Sequence, residues 1–299
     1  MTGLLLVRYG ELALKSAPVR REFESALRRN IVQLFVSEGK ELRLRSDRGH
    51  LYAEVADTEQ GVRLLRRVFG VTSVSVVHEV ATERDALRAR LLELASPRLT
   101  AGSTFAVRAR RTGSHPFTSQ ELARDLGSDV LEAFADRSLH VDLTHPQVEL
   151  FVEVRGPRTY LYFDRASGPG GLPLGVAGRL VALIDGERGA LGAYLMMKRG
   201  CRVAFAAPAS GGSYVQGVLL RFDPRARVDG LGGDPITWSQ AIGGVVEAVH
   251  ADGVVLPLRV DDYPGARATW GETVVFSPTV GLLDAEVSLR WSQVAALVA

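Results

Sequence analysis

With 299 residues, 46% of them hydrophobic and 23% charged, and a net charge of +2, the chain can bury more than one core, and two or three domains are expected. A single cysteine, Cys201, excludes a disulfide framework within the chain, and six scattered histidines show no metal-ligand spacing. The opening MTGLLLVRYG has no basic stretch before its short apolar run and no cleavage site after it, so the expected protein is soluble and cytoplasmic, without a membrane span or metal.

The charge is uneven in kind: 33 arginines stand against 3 lysines, and residues up to Arg165 carry 25 basic and 22 acidic side chains. Arginine's planar fork suits phosphates and base edges, while base composition of the genome or adaptation to heat gives the same bias. Both readings stay open on composition alone.

In chain order, residues 1–80 read as β-α-β-β-α-β: strands at 4–8, 42–45, 49–55 and 73–80, and helices at 18–38 and 58–68. In the first helix Phe23, Leu27, Ile31, Leu34 and Phe35 form an apolar stripe at helical spacing. That order is the ferredoxin-like one. Arg8 and Lys15 are either phosphate contacts or solvated surface charges. RYGELALKSAPVRREFESALRRNI resembles the opening of the tRNA 4-thiouridine synthetases, the ThiI-type tRNA sulfurtransferases, whose first domain is ferredoxin-like.

Residues 81–165 read as a second α/β module. A helix from Glu83 leads to a strand at 103–110, and the turn of Arg111, Gly113 and His115 leads to a helix through Phe134. Thr118 and Glu121 have capping-box spacing, and strands at 148–154 and 159–165 meet at a Gly156, Pro157 turn. Alternation puts Arg108 and Arg110 on one strand face, with Arg111 and His115 crowding the turn before a helix N-terminus. The cluster suits RNA phosphates or serves as a charged strand edge that blunts aggregation. The segment TFAVRARRTGSHPFTSQELARDLGSDVLEAF is similar to a THUMP domain, an RNA-binding module of tRNA-modifying families, and this implies tRNA as partner. Residues 1–165 are expected to suffice for binding it.

The stretch ASGPGGLPLGVAG, within 166–178, reads as a linker, and 179–299 as a third domain. There a strand at 180–184 enters a turn of Asp185, Gly186, Glu187, Arg188 and Gly189, and a helix is expected from about Ala190 to Arg199. Strand, turn and helix in that order make a phosphate cradle, but two carboxylates occupy it. The sequence AYLMMKRG after this turn resembles the PP-loop domain of the same synthetase family, whose turn reads Ser-Gly-Gly-x-Asp-Ser; this turn is one residue shorter and keeps none of the serines. No segment resembles the family's second cysteine-bearing active-site segment, and Cys201 reads as buried and structural. Beyond it lie glycine-rich turns at 210–213 and 230–234, a helix at 238–250, strands at 254–260 and 273–276 and a short last helix; the adjacent Asp261 and Asp262 read as a turn or cap more readily than as paired acid and base.

The expected fold is therefore multidomain α/β and α+β: a ferredoxin-like domain, a THUMP domain and a degenerate, doubly wound PP-loop-like domain. The expected protein binds tRNA, performs no catalysis and takes no cofactor. The alternative implied by the resemblance is an active sulfurtransferase that uses ATP, Mg and an external sulfur donor. The family resemblance also implies a homodimer, and a separate tRNA-modifying or sulfur-relay enzyme as partner.

Overall fold

The computed structural model describes residues 3–10, 16–47, 50–208, 213–233 and 237–298. Lys15, residues 210–212 of the turn expected at 210–213 and Asp234 of the turn expected at 230–234 lie outside the described residues. The first elements are β1 (Gly3–Tyr9), α1 (Ala17–Ser37), β2 (Arg43–Asp47), β3 (His50–Val55), α2 (Thr58–Leu65) and β4 (Val71–Ala81). Pro18 opens α1 where its missing N–H costs nothing, and Ala26, Leu27, Ile31, Leu34 and Phe35 form its buried face. Phe23 is half-buried at the margin of that stripe.

The next elements are α3 (Arg84–Ala95), β5 (Thr104–Thr112), α4 (Ser119–Ala133), β6 (His140–Val141), β7 (Val148–Arg155), β8 (Arg158–Tyr162) and β9 (Ala166–Ser167). The strand order is β2-β3-β1-β4-β8-β7-β5-β6, with β9 beside β4. Its first four strands have the ferredoxin-like order. The sheet continues because β4 pairs antiparallel with β8, Glu79 opposite Tyr160. The sequence reading gave two separate modules, since nothing local encodes a pairing between strands some eighty residues apart. The capping box of α4 is present: Thr118 Oγ1 accepts the Glu121 N–H at 3.1 Å, and the Glu121 carboxylate accepts the Thr118 N–H at 2.7 Å. Thr118→Ala is expected to cost about 1 kcal/mol, read as a lower urea midpoint.

The remaining elements are β10 (Arg179–Leu183), α5 (Glu187–Lys198), β11 (Arg202–Pro208), α6 (Ser213–Leu220), β12 (Val228–Leu231), α7 (Trp238–Val249), β13 (Gly253–Val255), α8 (Tyr263–Trp270), β14 (Val275–Phe276) and α9 (Asp284–Ala296). Their sheet is β12-β11-β10-β13-β14, every pair parallel. The order reverses between β10 and β13, where doubly wound folds place ligands beyond the carboxyl ends of the strands.

Three expectations are corrected here. Helix α5 starts at Glu187 rather than Ala190, because Glu187 and Arg188 favour helix and Gly186 serves as its N-cap. The strand expected at 254–260 stops at Val255, ahead of Pro257, which has no N–H to continue a ladder. The strand expected at 273–276 shrinks to Val275–Phe276.

By contacts the chain forms two compact units. One holds Met1–Leu6, Arg45–Thr58 and Ser75–Ala166; the other holds Val7–Leu44, Glu59–Val74 and Ser167–Ala299. In the first, Leu87, Leu91, Phe105, Leu126, Val130 and Leu150 are among the residues of a core beneath α3 and α4. In the second, Phe69 joins Tyr194, Phe205, Phe222 and Trp291 in the core around α5. Helices α1 and α2 fall in the unit that holds the parallel sheet, although in sequence they belong with β1 to β4.

Candidate nucleic-acid interface

Strand β5 runs parallel to β7, with Arg108 opposite Phe151 and Arg110 opposite Glu153. Phe105 and Val107 pack into the core beneath α4, so period-two alternation sends Arg108 and Arg110 to the opposite face. Both line a cleft of about 500 Å³, together with Phe151, Tyr162, Arg165 and the first turn of α4. Arg108 is held by Glu149 (2.9 Å) and by the Leu143 carbonyl (2.7 Å), while Arg110 is exposed. Arg111 is exposed and donates to the Gly113 carbonyl at 3.0 Å; His115 contacts the Thr112 carbonyl at 3.2 Å and stacks on Phe117. Gly113 has φ +96°, a conformation that keeps this turn tight and that a side chain would oppose.

Sequence reasoning missed the aromatic floor of this cleft. Phe151 and Tyr162 stack at 4.9 Å with their planes 9° apart, and the Arg165 guanidinium lies 4.2 Å from the Phe151 ring centre. Arg165 also donates to the Tyr162 hydroxyl at 3.1 Å. The signal available was the alternation of Phe151 and Tyr162 on neighbouring strands, legible only once their register is known. A second cleft of about 610 Å³ shares Glu149, Phe151 and Arg165 and adds Arg98 and Phe163. Phe151 and Tyr162 are themselves buried, so they hold Arg165 in place rather than offer a face to a base, and the guanidinium groups beside them can hold a phosphate. Arg8 is half-buried on β1 and belongs to the other compact unit.

At the turn after β10 the chemistry differs. Glu187 accepts the Ser288 hydroxyl at 2.6 Å. Arg188, whose side chain is 11% exposed, donates to the carbonyls of Thr279 (2.6 Å) and Leu282 (2.7 Å) and to Asp284 (2.9 Å). The turn's one arginine is thus committed to the segment before α9. Asp185 keeps exposed surface, yet burial of its carboxylate pushes its pKa up, with its own backbone N–H acting the other way. A Cβ on Gly189 would stand 2.3 Å from the Leu183 carbonyl, so only glycine allows this close strand-to-helix approach.

Hydrogen bonds from Arg188, with Arg259 adding to them, hold Asp284 below the ordinary carboxylate range. Because its folded pKa is depressed, its contribution is present above the ordinary carboxylate pKa and is lost as pH falls through the folded value. A carboxyl carbon-13 titration should find Asp284 below a free aspartate, and Arg188→Ala should raise it. Cys201 is buried, its thiol donates to the Ala177 carbonyl at 3.2 Å, and burial pushes its pKa up, which disfavours the nucleophilic thiolate. Asp262 accepts the Arg259 N–H at 2.7 Å and so acts as a cap. Among the described residues no three His, Cys, Asp or Glu side chains gather into a metal site, and no helix is long and apolar enough to cross a membrane.

These features define a multidomain α/β protein: a ferredoxin-like strand order, an arginine-lined α/β module and a doubly wound parallel sheet with a turn at its switch point. Residues 4–75 match the ThiI ferredoxin-like domain and residues 81–164 the THUMP domain, and the chain belongs to the THUMP-containing, ThiI-type tRNA sulfurtransferase family. It is 40% identical over 206 residues to a probable tRNA sulfurtransferase of Methanothermobacter thermautotrophicus, covering 67% of this chain and 51% of that protein. A protein of the same description from Saccharolobus islandicus is 38% identical over 201 residues, covering 66% and 52%. The chain therefore spans about half the length of the curated relatives it matches. Two solved structures share the fold at a TM-score of 0.82. One is PH1313 from Pyrococcus horikoshii, 24% identical, covering 97% of this chain and 99% of that one. The other is a 4-thiouridine synthetase in complex with RNA and bound ATP, 20% identical, covering 100% and 86%.

Proposed function

We propose that this protein binds tRNA through residues 1–80 and 81–165, joined by a linker at 166–178 to a third domain at 179–299 that performs no sulfur transfer. The observation that carries the binding is the cleft that gathers Arg108, Arg110 and Arg165 over stacked Phe151 and Tyr162, all but Arg165 within the THUMP match. Arg111 and His115 extend the contact to phosphates at the turn before α4, and Arg8 and Lys15 are proposed as further contacts. The named relatives are sulfurtransferases and one neighbour is a complex with RNA, which supports tRNA as the ligand.

The test is a filter-binding titration of the full chain with total tRNA at several salt concentrations. Affinity should fall steeply with salt, as phosphate contacts require. Arg110→Ala and Arg111→Ala should each cost roughly 1 to 2 kcal/mol, the loss expected for a charge-assisted hydrogen bond. Salt-independent binding, or none, would sink the proposal.

The second reading is an active sulfurtransferase with ATP, Mg and an external sulfur donor; it is favoured by the place of the 185–189 turn at the switch point of the parallel sheet. We further propose a cytoplasmic homodimer working with a separate tRNA-modifying or sulfur-relay enzyme. Light scattering that shows only monomer at tens of micromolar would count against the dimer.

A further inference from the structure

A second basic cleft lies wholly within the other compact unit. Its walls come from α1, from the Gly- and Pro-rich connector and from the starts of β10 and β11, and its lining includes Arg29, Gln33, Leu174, Gly175, Arg179 and Arg202. The Asn30 amide donates to the Leu174 carbonyl at 3.1 Å, which fixes α1 to the connector. Each arginine spends one nitrogen on the protein: Arg29 on the Ser25 hydroxyl (2.8 Å), Arg179 on the Val249 carbonyl (3.3 Å), and Arg202 on buried Asp223 (3.3 Å). The guanidinium group has five N–H donors, so each keeps several to offer. Nε and Nη2 of Arg202 stand 3.7 and 3.9 Å from where a Cβ on Gly175 would be, and Gly175, at φ +89°, leaves that approach open.

Among the described residues no acidic side chain lines the cleft; the nearby carboxylates are already engaged, Asp223 by Arg202 and the Arg225 N–H, and Asp252 by the Arg179 N–H at 2.8 Å. Arg202 is already offset by Asp223, so the like charges that a bound anion would relieve are chiefly those of Arg29 and Arg179. Size narrows the choice of anion. The hollow is about 230 Å³, below the ~300 Å³ at which small-molecule pockets begin, yet several times the ~30 Å³ share of a water molecule. Among the described residues no aromatic ring lines it on which a base could stack.

We propose that this cleft binds a single hydrated phosphate group, either free inorganic phosphate or one phosphate of an RNA backbone. The site does not depend on tRNA binding by the β5 cleft, and its test is separate. Inorganic phosphate, and in a second arm a short oligouridylate, are titrated at constant ionic strength into the full chain while arginine Nε–Hε signals are followed by NMR. Saturable shifts of Arg29, Arg179 and Arg202 are expected with a Kd on the order of 1 mM. Arg29→Ala and Arg179→Ala should each weaken binding roughly tenfold, whereas Arg110→Ala should leave it unchanged. Competition between the two ligands identifies an RNA phosphate; a response to inorganic phosphate alone identifies a free one. The proposal is overturned if neither ligand shifts these signals by about 20 mM, or if the Arg202 shift persists unaltered in a folded variant lacking both Arg29 and Arg179.

Discussion

Phe69→Ala is expected to lower stability by about 3 to 5 kcal/mol, the usual cost of emptying a buried phenylalanine site. Phe69 is 1% exposed and packs against Tyr194 at 5.3 Å and Phe222 at 5.4 Å. Those two rings also meet each other edge to face at 5.3 Å, so one substitution breaks into a closed aromatic triad. The readout is specific. All three tryptophans, Trp238, Trp270 and Trp291, lie in the unit built on the parallel sheet. Urea unfolding followed by tryptophan fluorescence should therefore move, although position 69 falls inside the ferredoxin-like match. An unchanged fluorescence midpoint would show that α2 and its following turn do not belong energetically to that unit.

The same contacts revise the expectation that residues 1–165 suffice. A chain cut there loses Tyr194, Phe222 and the Leu174 carbonyl that holds Asn30, leaving the apolar Phe69 site open to water. The binding measurement is for this reason framed on the full chain.

What was legible in the sequence was whatever local chemistry encodes. Leu27, Ile31, Leu34 and Phe35 recur at helical spacing and are buried; Thr118 and Glu121 are three residues apart and form the cap. The arginines of β5 could be assigned to a face because alternation alone decides it. What escaped depends on partners distant in sequence. Arg165 became part of the cleft only through the register that sets Phe151 beside Tyr162, and Arg29 meets Arg179 and Arg202 only because α1 packs on the connector. Helix α8 was not among the expected elements, although Pro264 stands in its first turn, where a proline breaks no hydrogen bond. Glu187 and Arg188 read as turn residues because glycines flank them, and Arg188's partners at 279–284 are about ninety residues away.

Mg-ATP is expected to give no saturable heat at micromolar concentrations, and tRNA incubated with the protein and a sulfur donor should contain no 4-thiouridine. An incoming triphosphate would have to sit at the N-terminus of α5, where Glu187 already takes the favourable anion position and is fixed there by Ser288. Burial pushes the Asp185 pKa up, the direction that disfavours further negative charge beside it. At ~5 Å and an effective dielectric of ~20, each carboxylate repels one phosphate charge by roughly 3 kcal/mol. Magnesium would offset part of this, but the turn holds no hydroxyl to replace the family's serines. Nor is Arg188 available, since releasing it would take its donors from the Leu282 carbonyl and from the Thr279 carbonyl, which would keep only the Leu282 N–H. Arg188→Ala is for that reason a poor control: it would unsettle the segment before α9 whether or not ATP binds. The informative variant is Asp185→Asn with Glu187→Gln, which removes the repulsion and leaves Arg188 in place. If charge is the barrier, that variant gains weak ATP affinity that the unmodified chain lacks. Saturable binding by the unmodified chain, accompanied by 4-thiouridine in the digested tRNA, would instead establish the sulfurtransferase reading and require a thiolate other than buried Cys201 to deliver the sulfur.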